Sequence, residues 1–478
     1  MLAVLCLVLV GCAGAAREAG APSARARPVN VVLVVADDLG YGELGCYGQT
    51  KIHTPHIDAL ARDGVRFTQH YSGAPVCAPS RCVLMTGQAS GHASIRDNLE
   101  HSPEGQEPMA ASDATIAELL RERGYVCGGF GKWGLGFPGS DGDPLRRGFD
   151  HFYGYNCQRH AHTYYPTYLW DDGERVELPG NVDIDGDGRG DGELQYAQDL
   201  IDEALLAFLD ANRERPFFCY VPCTLPHLAL EIPDEELAPY LGAWDETPYT
   251  GASYTHHPTP RACYAAMVTR LDATVGKIVA RLDALGLADD TLVLFTSDNG
   301  PTHVAAQVDV AFFESTGGLR GLKGSVFEGG LRVPLIARWP GRVEPGRVSA
   351  HICAFEDVLP TLCDVTSATP PLAIDGLSFL PTLLGEPQPE RAFLAWDFPG
   401  YGGQLAVRRG RWKAVRRDLV RNPDAPLELY DIELDPAETN DLAGDHPTIA
   451  SELAALMLDA RTPPTIPAFR FGEYRAAD

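Results

Sequence analysis

The chain has 478 residues, 45% of them apolar and 22% charged. That is an ordinary balance for a folded protein long enough to bury a large core and to divide into one big and one smaller domain. Its 39 Lys and Arg against 65 Asp and Glu give a net charge of −26, which argues against nucleic acid as a partner and requires any anionic substrate to meet local positive charge.

The first residues, "MLAVLCLVLVGCAGAAREAG", form an apolar run too short to span a bilayer, followed by small residues. This predicts an export signal. "LVGC" at 9–12 resembles a bacterial lipobox in which Cys12 is lipidated, although no Lys or Arg precedes the run. The expected location is the periplasm or a lipoprotein tethered to the outer membrane, with extracellular release as the alternative. The only membrane contact expected is that lipid anchor, because no later stretch is long and apolar enough to cross.

From Pro28 onward short apolar runs alternate with helical patterns, the mark of an α/β sheet flanked by helices. Buried strands are predicted at 31–36, 125–130, 217–221 and 291–296, since each run is apolar without alternation. Helices are predicted within 114–124, 196–215 and 264–286 from their spacing of apolar residues. Pro- and Gly-bearing stretches then mark a boundary near 385. The expected organisation is a leader and linker over 1–27, a catalytic domain over 28–385 and a small α+β subdomain over 386–478. The last contains strand-like pieces at 405–416 and 427–433 and a closing helix near 447–460.

The strand exits carry the chemistry. The first strand runs into Asp37 and Asp38, the second into Lys132, the third leads to His227 and the fourth into Asp298 and Asn299. Any one of these is an ordinary turn signal. Four in one sheet predict a shared site beyond the carboxyl ends of the strands. Asp37, Asp38, Asp298 and Asn299 offer only carboxylate and amide oxygens, a set suited to a hard cation, Ca²⁺ before Mg²⁺.

"PVCAPSRCVLMTG" (75–87) places Cys77 just ahead of a helix opened by Pro79 and stopped by Gly87. Cys77 there is a nucleophile of lowered pKa, half of a disulfide with Cys82, or a small buried hydrophobe. Arg81 falls on the same helix face, positioned for bidentate contact with an oxyanion; Leu84 and Met85 read as core. Leaving aside Cys6, Cys12 and Cys77, nine cysteines remain without CxxC spacing, neither a zinc site nor a disulfide framework, though one or two bridges fit an oxidising compartment.

The pattern C-x-P-S-R followed by L-M-T-G closely resembles the signature of type I, formylglycine-dependent sulfatases. Seven further blocks, at 34–48, 54–67, 124–136, 224–230, 295–300, 318–334 and 428–443, resemble that family's blocks in the same order. The resemblance implies an alkaline-phosphatase-like fold: a large mixed sheet flanked by helices, with a smaller C-terminal antiparallel sheet and a helix. It implies that a maturation enzyme oxidises Cys77 to formylglycine, whose hydrate attacks a sulfate ester and later expels sulfate as the aldehyde re-forms. By the same resemblance Asp37, Asp38, Asp298, Asn299 and the modified Cys77 bind the metal. Arg81 holds formylglycine and the metal-side oxygens, Lys132 and Lys323 grip the sulfate, and His227 binds sulfate or protonates the leaving alcohol.

One position departs. Where the family has "GKWHLG", residue 134 is Gly, so the histidine that helps the formylglycine hydroxyl lose its proton has no counterpart there. His162 and His92 are the first candidates to take that proton, ahead of His160 and His303, with a substrate-binding or structural role an equal alternative for each. Two further features stay open. "DIDGDGRGDGE" (183–193) begins like a calcium loop but lacks its closing Glu, position 12 being Leu194; an acidic surface loop is the preferred reading. The aromatics of 160–170 serve either a sugar-binding wall or plain packing. The expected activity is hydrolysis of sulfate esters, with sulfated carbohydrate as the expected substrate. The alternatives are a phosphoester or phosphonate hydrolase on the same fold and a catalytically silent lipoprotein that binds sulfated glycans.

Overall fold

The computed structural model describes residues 27–181, 194–251, 254–304 and 307–475. The expected leader, Cys12 and the acidic loop at 183–193 lie outside those residues.

Eleven strands build one mixed sheet: β1 (Asn30–Ala36), β2 (Val65–Tyr71), β3 (Val126–Lys132), β4 (His151–Tyr155), β5 (Tyr168–Asp171), β6 (Glu174–Glu177), β7 (Phe217–Pro222), β8 (Thr291–Ser297), β9 (Arg332–Arg338), β10 (Arg347–Ser349) and β11 (Cys353–Ala354). Their order is β10-β2-β9-β8-β1-β7-β3-β4-β5-β6, with β11 paired to β2. The four strands predicted from sequence are its centre. β8, β1, β7 and β3 lie side by side and all run parallel, so their carboxyl ends emerge along one edge.

The lack of alternation in these strands has a direct cause. In β1, Val32, Val34 and Ala36 enter one hydrophobic core while Val31, Leu33 and Val35 enter the other, on the opposite face. The first core includes Ala262, Leu271 and Val275 of the long Pro260–Ala284 helix. The second includes Ala78, Cys82 and Leu84 of the Cys77–Thr86 helix. Each fully buried Val or Leu side chain contributes about 1.5–3 kcal/mol, so both faces demand apolar residues.

A second, antiparallel sheet follows, β12 (Leu394–Phe398), β13 (Gln404–Arg409), β14 (Trp412–Arg416) and β15 (Glu428–Asp431). The Pro447–Asp459 helix covers it through Leu453 and Met457. A further core joins the two sheets: Tyr71, Val326, Phe327 and Leu331 pack with Trp396, Phe398, Val415 and Tyr430. Within this contact Lys413, fully buried, lies 2.9 Å from Glu328 and 3.0 Å from Glu438. Among the described residues no helix is long and apolar enough to cross a membrane.

Candidate active site

The edge where the parallel strands end gathers the polar groups. Asp37 and Asp38 follow β1, Lys132 is the last residue of β3, and Asp298 and Asn299 follow β8. Asp38 has φ 61°, a left-handed turn that Asp tolerates better than most residues. Its amide donates to Asp298 Oδ1 at 3.2 Å, and the Asp298 amide donates to Ala36 O at 3.0 Å.

Cys77 is itself the first residue of its helix, two positions earlier than Pro79 suggests, while Gly87 ends it at φ 69° as expected. Ser80 Oγ donates to Asp298 O at 2.5 Å, tying the helix to the β8 exit. The loop that carries Lys323 closes over the same exit. Lys323 N donates to Pro301 O at 2.9 Å and Gly324 N to Pro75 O at 2.8 Å. A Cβ on Gly300 would lie 1.9 Å from Gly329 O, so only glycine permits that approach.

The side chains then converge. Cys77 Sγ is 3.3 Å from Asp37 Oδ1 and 3.7 Å from Lys132 Nζ. Lys132 Nζ donates to Asp37 Oδ2 at 2.5 Å, and Lys323 Nζ lies 2.8 and 2.9 Å from the two oxygens of Asp38. Arg81 donates through Nε and Nη2 to Asp298 Oδ2 at 3.0 and 2.8 Å, pairs with Asp37 at 3.3 Å and bonds Lys132 O through Nη1. Its fork is thus spent on carboxylates and backbone. His227 Nε2 lies 3.6 Å from Asp38 Oδ2. Among the described residues, ligand atoms of Asp37, Asp38, Cys77 and His227 all lie within 4.8 Å of one another.

Burial and neighbouring charge set the protonation. Burial pushes the Asp37 carboxyl up, but Lys132, Arg81 and Lys323 outweigh it and hold the group well below the carboxylate range. Burial and the charge of Asp37 push Asp298 up. Burial, then Lys323 and Lys132, keep His227 neutral, far below the ordinary imidazole value. Burial opposes the charge of Lys323, yet the carboxylates of Asp38 and Asp37 keep its ammonium protonated. Burial and Asp37 drive the Cys77 thiol up, opposite to the lowering that a helix N-terminus alone suggests.

Of the candidate histidines, His162 reaches the cluster. Its ring stacks on His227 with centroids 5.1 Å apart, and burial and the charge of Lys132 push its pKa down to about 2. His92 goes elsewhere: Nδ1 sits 3.0 and 2.9 Å from the two oxygens of Asp375, in a surface cavity shared with Glu356 and Arg391. His160 is stacked on Tyr168 and faces Tyr155 and Glu104. His303 is exposed at the rim, edge-on to Tyr401. No disulfide joins the cysteines among the described residues, and Cys77 and Cys82 are separate buried thiols. Leu84 and Met85 are core.

The aromatics of 160–170 divide. Tyr164 serves the site from below, its hydroxyl donating to Thr224 O and His227 O at 3.0 and 2.8 Å and thereby holding the His227 turn. Tyr168 and Trp170 both donate to Glu104. Sequence reasoning missed four contributors. Gln158 fills the space beside Gly134, where a Cβ would lie 2.2 Å from its Nε2. Asn98 Oδ1 accepts from Ala78 N at 3.0 Å, satisfying a first-turn amide of the Cys77 helix. Tyr254 sets its ring 5.4 Å from His162. Tyr401 packs over Gly324. None stands in a motif or a periodic face; the spacing of Gly134 alone could have prompted a search for a replacement.

The donor set fits a hard cation. Asn299 Nδ2 is used, at 2.7 Å from Asp38 Oδ1 and 2.9 Å from Gly300 O, but its Oδ1 is buried with no hydrogen-bond partner. A buried carbonyl oxygen without a donor costs about 1–3 kcal/mol, a cost that coordination to a hard cation beside Asp38 would relieve.

Comparison with known proteins agrees with this chemistry. A protein-family model described as Sulfatase matches residues 29–368, and one described as N-sulphoglucosamine sulphohydrolase, C-terminal, matches residues 322–462. Arylsulfatase A of Homo sapiens is 33% identical over 91% of this chain and 88% of its own length. N-acetylgalactosamine-6-O-sulfatase of Bacteroides thetaiotaomicron is 29% identical over 91% of this chain and 93% of its own. The crystal structure of Ps i-CgsB in complex with k-i-k-neocarrahexaose superposes with a TM-score of 0.77 at 27% identity, covering 92% of this chain and 94% of that one.

Proposed function

Because the chain belongs to the sulfatase family of sulfuric ester hydrolases, with their alkaline-phosphatase-like fold, we propose that it hydrolyses sulfated carbohydrates outside the cytoplasm, using Cys77 converted to formylglycine and a Ca²⁺ ion. The observation that carries this reading is the meeting of two ammonium groups, Lys132 and Lys323, with Cys77 and a cage of oxygens in one buried cluster. Relatives named for sulfated sugars, and the neocarrahexaose seen with Ps i-CgsB, support carbohydrate as the substrate class. The leader with Cys12 supports export and a lipid tether.

Asp37, Asp38, Asp298 and Asn299 would hold the ion. When bound, it supplies a Lewis acid beside an oxygen nucleophile borne by residue 77. The chain's own residues do the rest. Lys132 and Lys323 bring to the sulfate oxygens the positive charge that a net −26 protein must concentrate locally. Arg81 fixes Asp298 and Asp37 and so the orientation of the cage. His227 donates from Nδ1 to Leu228 O at 2.5 Å, so Nε2 of the neutral ring presents a lone pair that can take up the proton lost by the nucleophile and pass it to the departing alcohol oxygen.

Two measurements test the reading. Mass spectrometry of the peptide across residue 77, from protein made with a maturation enzyme, should show a loss of about 18 Da, as SH and H give way to a carbonyl oxygen. Hydrolysis of a chromogenic aryl sulfate should exceed that of its phosphate analogue and vanish in Cys77→Ala. Full turnover by Cys77→Ala, or a preference for phosphate, overturns it.

A further inference from the structure

The mouth of the site carries a pair of groups that the sulfate-binding cluster leaves unused. The turn between β12 and β13 sends Tyr401 from the second sheet across to the Lys323 loop. A Cβ on Gly324, the residue after Lys323, would lie 3.1 Å from the Tyr401 ring. Phe398 stacks on that ring with centroids 6.0 Å apart, and His303 meets it edge-on at 5.7 Å. Tyr401 is nevertheless 62% exposed, and its backbone is left-handed at φ 50°. A bulky residue adopts that conformation at a cost of about 1–3 kcal/mol, a strain concentrated at functional positions. Its hydroxyl lies within electrostatic reach of Lys323, Asp97, Asp38 and Cys77.

Asp97 stands beside it. A Cβ on Gly400 would lie 2.8 Å from Asp97 Oδ2, and the next residue, Asn98, bonds the amide of Ala78 next to Cys77. Asp97 is half-buried, yet the one bond it accepts is from Asn98 N at 2.8 Å, and no Lys or Arg pairs with it among the described residues. Burial lifts its carboxyl to about 6. By contrast Asp37, Asp38 and Asp298 are each matched by Lys or Arg. An aromatic face next to a carboxylate that lacks a cation is the chemistry that recognises a pyranose: the ring covers C–H groups and the carboxylate accepts hydroxyls.

We propose that Tyr401 and Asp97 form the leaving-group subsite, which accepts a sugar ring bearing free hydroxyls and rejects one with a second anionic group beside the scissile sulfate. This rests on the sulfatase reading above. Asp97 accepts from neutral hydroxyls, whereas a second sulfate or a carboxylate would meet its charge unscreened by any cation.

The test uses the matured full-length enzyme, its Asp97→Asn, Tyr401→Ala and Tyr401→Phe variants, 4-nitrophenyl sulfate, and a panel of mono- and disulfated hexoses. Wild type is expected to favour monosulfated hexoses. Asp97→Asn should shrink the mono- to disulfate ratio of kcat/KM by about ten-fold, without an equal change on 4-nitrophenyl sulfate. Tyr401→Ala should raise KM for the preferred hexose about ten-fold with a smaller change in kcat, and Tyr401→Phe should restore it. A wild-type preference for disulfated sugars, or equal losses on every substrate in each variant, overturns the subsite while leaving the sulfatase reading intact. Absence of hydrolysis of every sulfate ester by matured wild type overturns both.

Discussion

Gly134 and Gln158 compete for one volume. Gly134 has φ 78°, and a Cβ there would come within 2.2 Å of Gln158 Nε2. Gln158 is 8% exposed, and neither its Nε2 nor its Oε1 has a hydrogen-bond partner. The amide therefore occupies space into which a side chain at 134 would project, two residues after Lys132. Gly134→His alone should destabilise the fold by about 2–4 kcal/mol, combining overpacking with left-handed strain. Gly134→His with Gln158→Ala should recover about 1–2 kcal/mol of that loss, because the two sites share a contact. Urea unfolding of wild type, Gly134→His, Gln158→Ala and the double variant checks the coupling. A Gly134→His variant as stable as wild type would refute it.

The oxygen cage predicts linkage between cation and stability. Asp37, Asp38 and Asp298 crowd their charges, and Asn299 Oδ1 is left without a donor. A cation that binds only the folded chain should stabilise it by about 2.7 kcal/mol at a hundred times its dissociation constant. Thermal melting in excess Ca²⁺ should therefore exceed that in chelator, and Asn299→Leu should shrink the difference. Identical melting in both conditions would rule out a cation in this cage.

How much of this was visible beforehand depends on what each feature requires of the chain. β1, β3, β7 and β8 were legible because burial on both faces forces a continuous apolar run. Their polar exits stood out against that background, and parallel pairing then brings Asp37, Lys132 and Asp298 to one edge. β2 and β5 alternate or are short, and β6 is wholly exposed, so no apolar run announced them. Gln158 and Asp97 were invisible for another reason. A polar residue acquires its role from a neighbour far along the chain, Gly400 for Asp97, and no local period encodes that meeting. His92 misled because "GHASIR" lies near Cys77 in sequence, whereas Asp375 captures its ring. For the Cys77 thiol, helix position alone argues for a low pKa, one of three readings the residues left open, and burial beside Asp37 reverses the sign.

The contact between the two sheets hides a charge cluster with a large expected cost of disruption. Lys413 sits between Glu328 and Glu438, all three essentially inaccessible, and Tyr71 donates to Glu328 at 2.7 Å. Lys413→Met would leave two buried carboxylates facing each other. The expected loss is about 3–5 kcal/mol, the range for removing one partner of a buried pair. Lys413→Met with Glu438→Gln should lose less, since one charge goes with the cation. Denaturant unfolding of the single and double variants decides; equal stability of Lys413→Met and wild type would show that the cluster carries no net interaction.

His70 gives the fold an acid limit whose sign follows from its surroundings. The ring is fully buried on β2, with Nδ1 3.4 Å from Cys353 Sγ, Phe355 at 5.6 Å and no partner for Nε2. Burial lowers its pKa to about 3. Between that value and the ordinary imidazole value of about 6.5, the unfolded chain binds a proton that the folded chain refuses. The stabilisation is therefore complete above that upper value and drains away as pH falls through the window, by up to about 1.4 kcal/mol per pH unit. His351, which burial and Arg391 lower to about 4, adds to the same trend, so wild type must be compared with a variant that retains it. His70→Gln keeps a neutral polar side chain and removes the titration. Urea unfolding from pH 4 to 7 should give a shallower slope for His70→Gln than for wild type, with the curves converging toward acid. Parallel curves would mean that the ring charges freely in the folded protein.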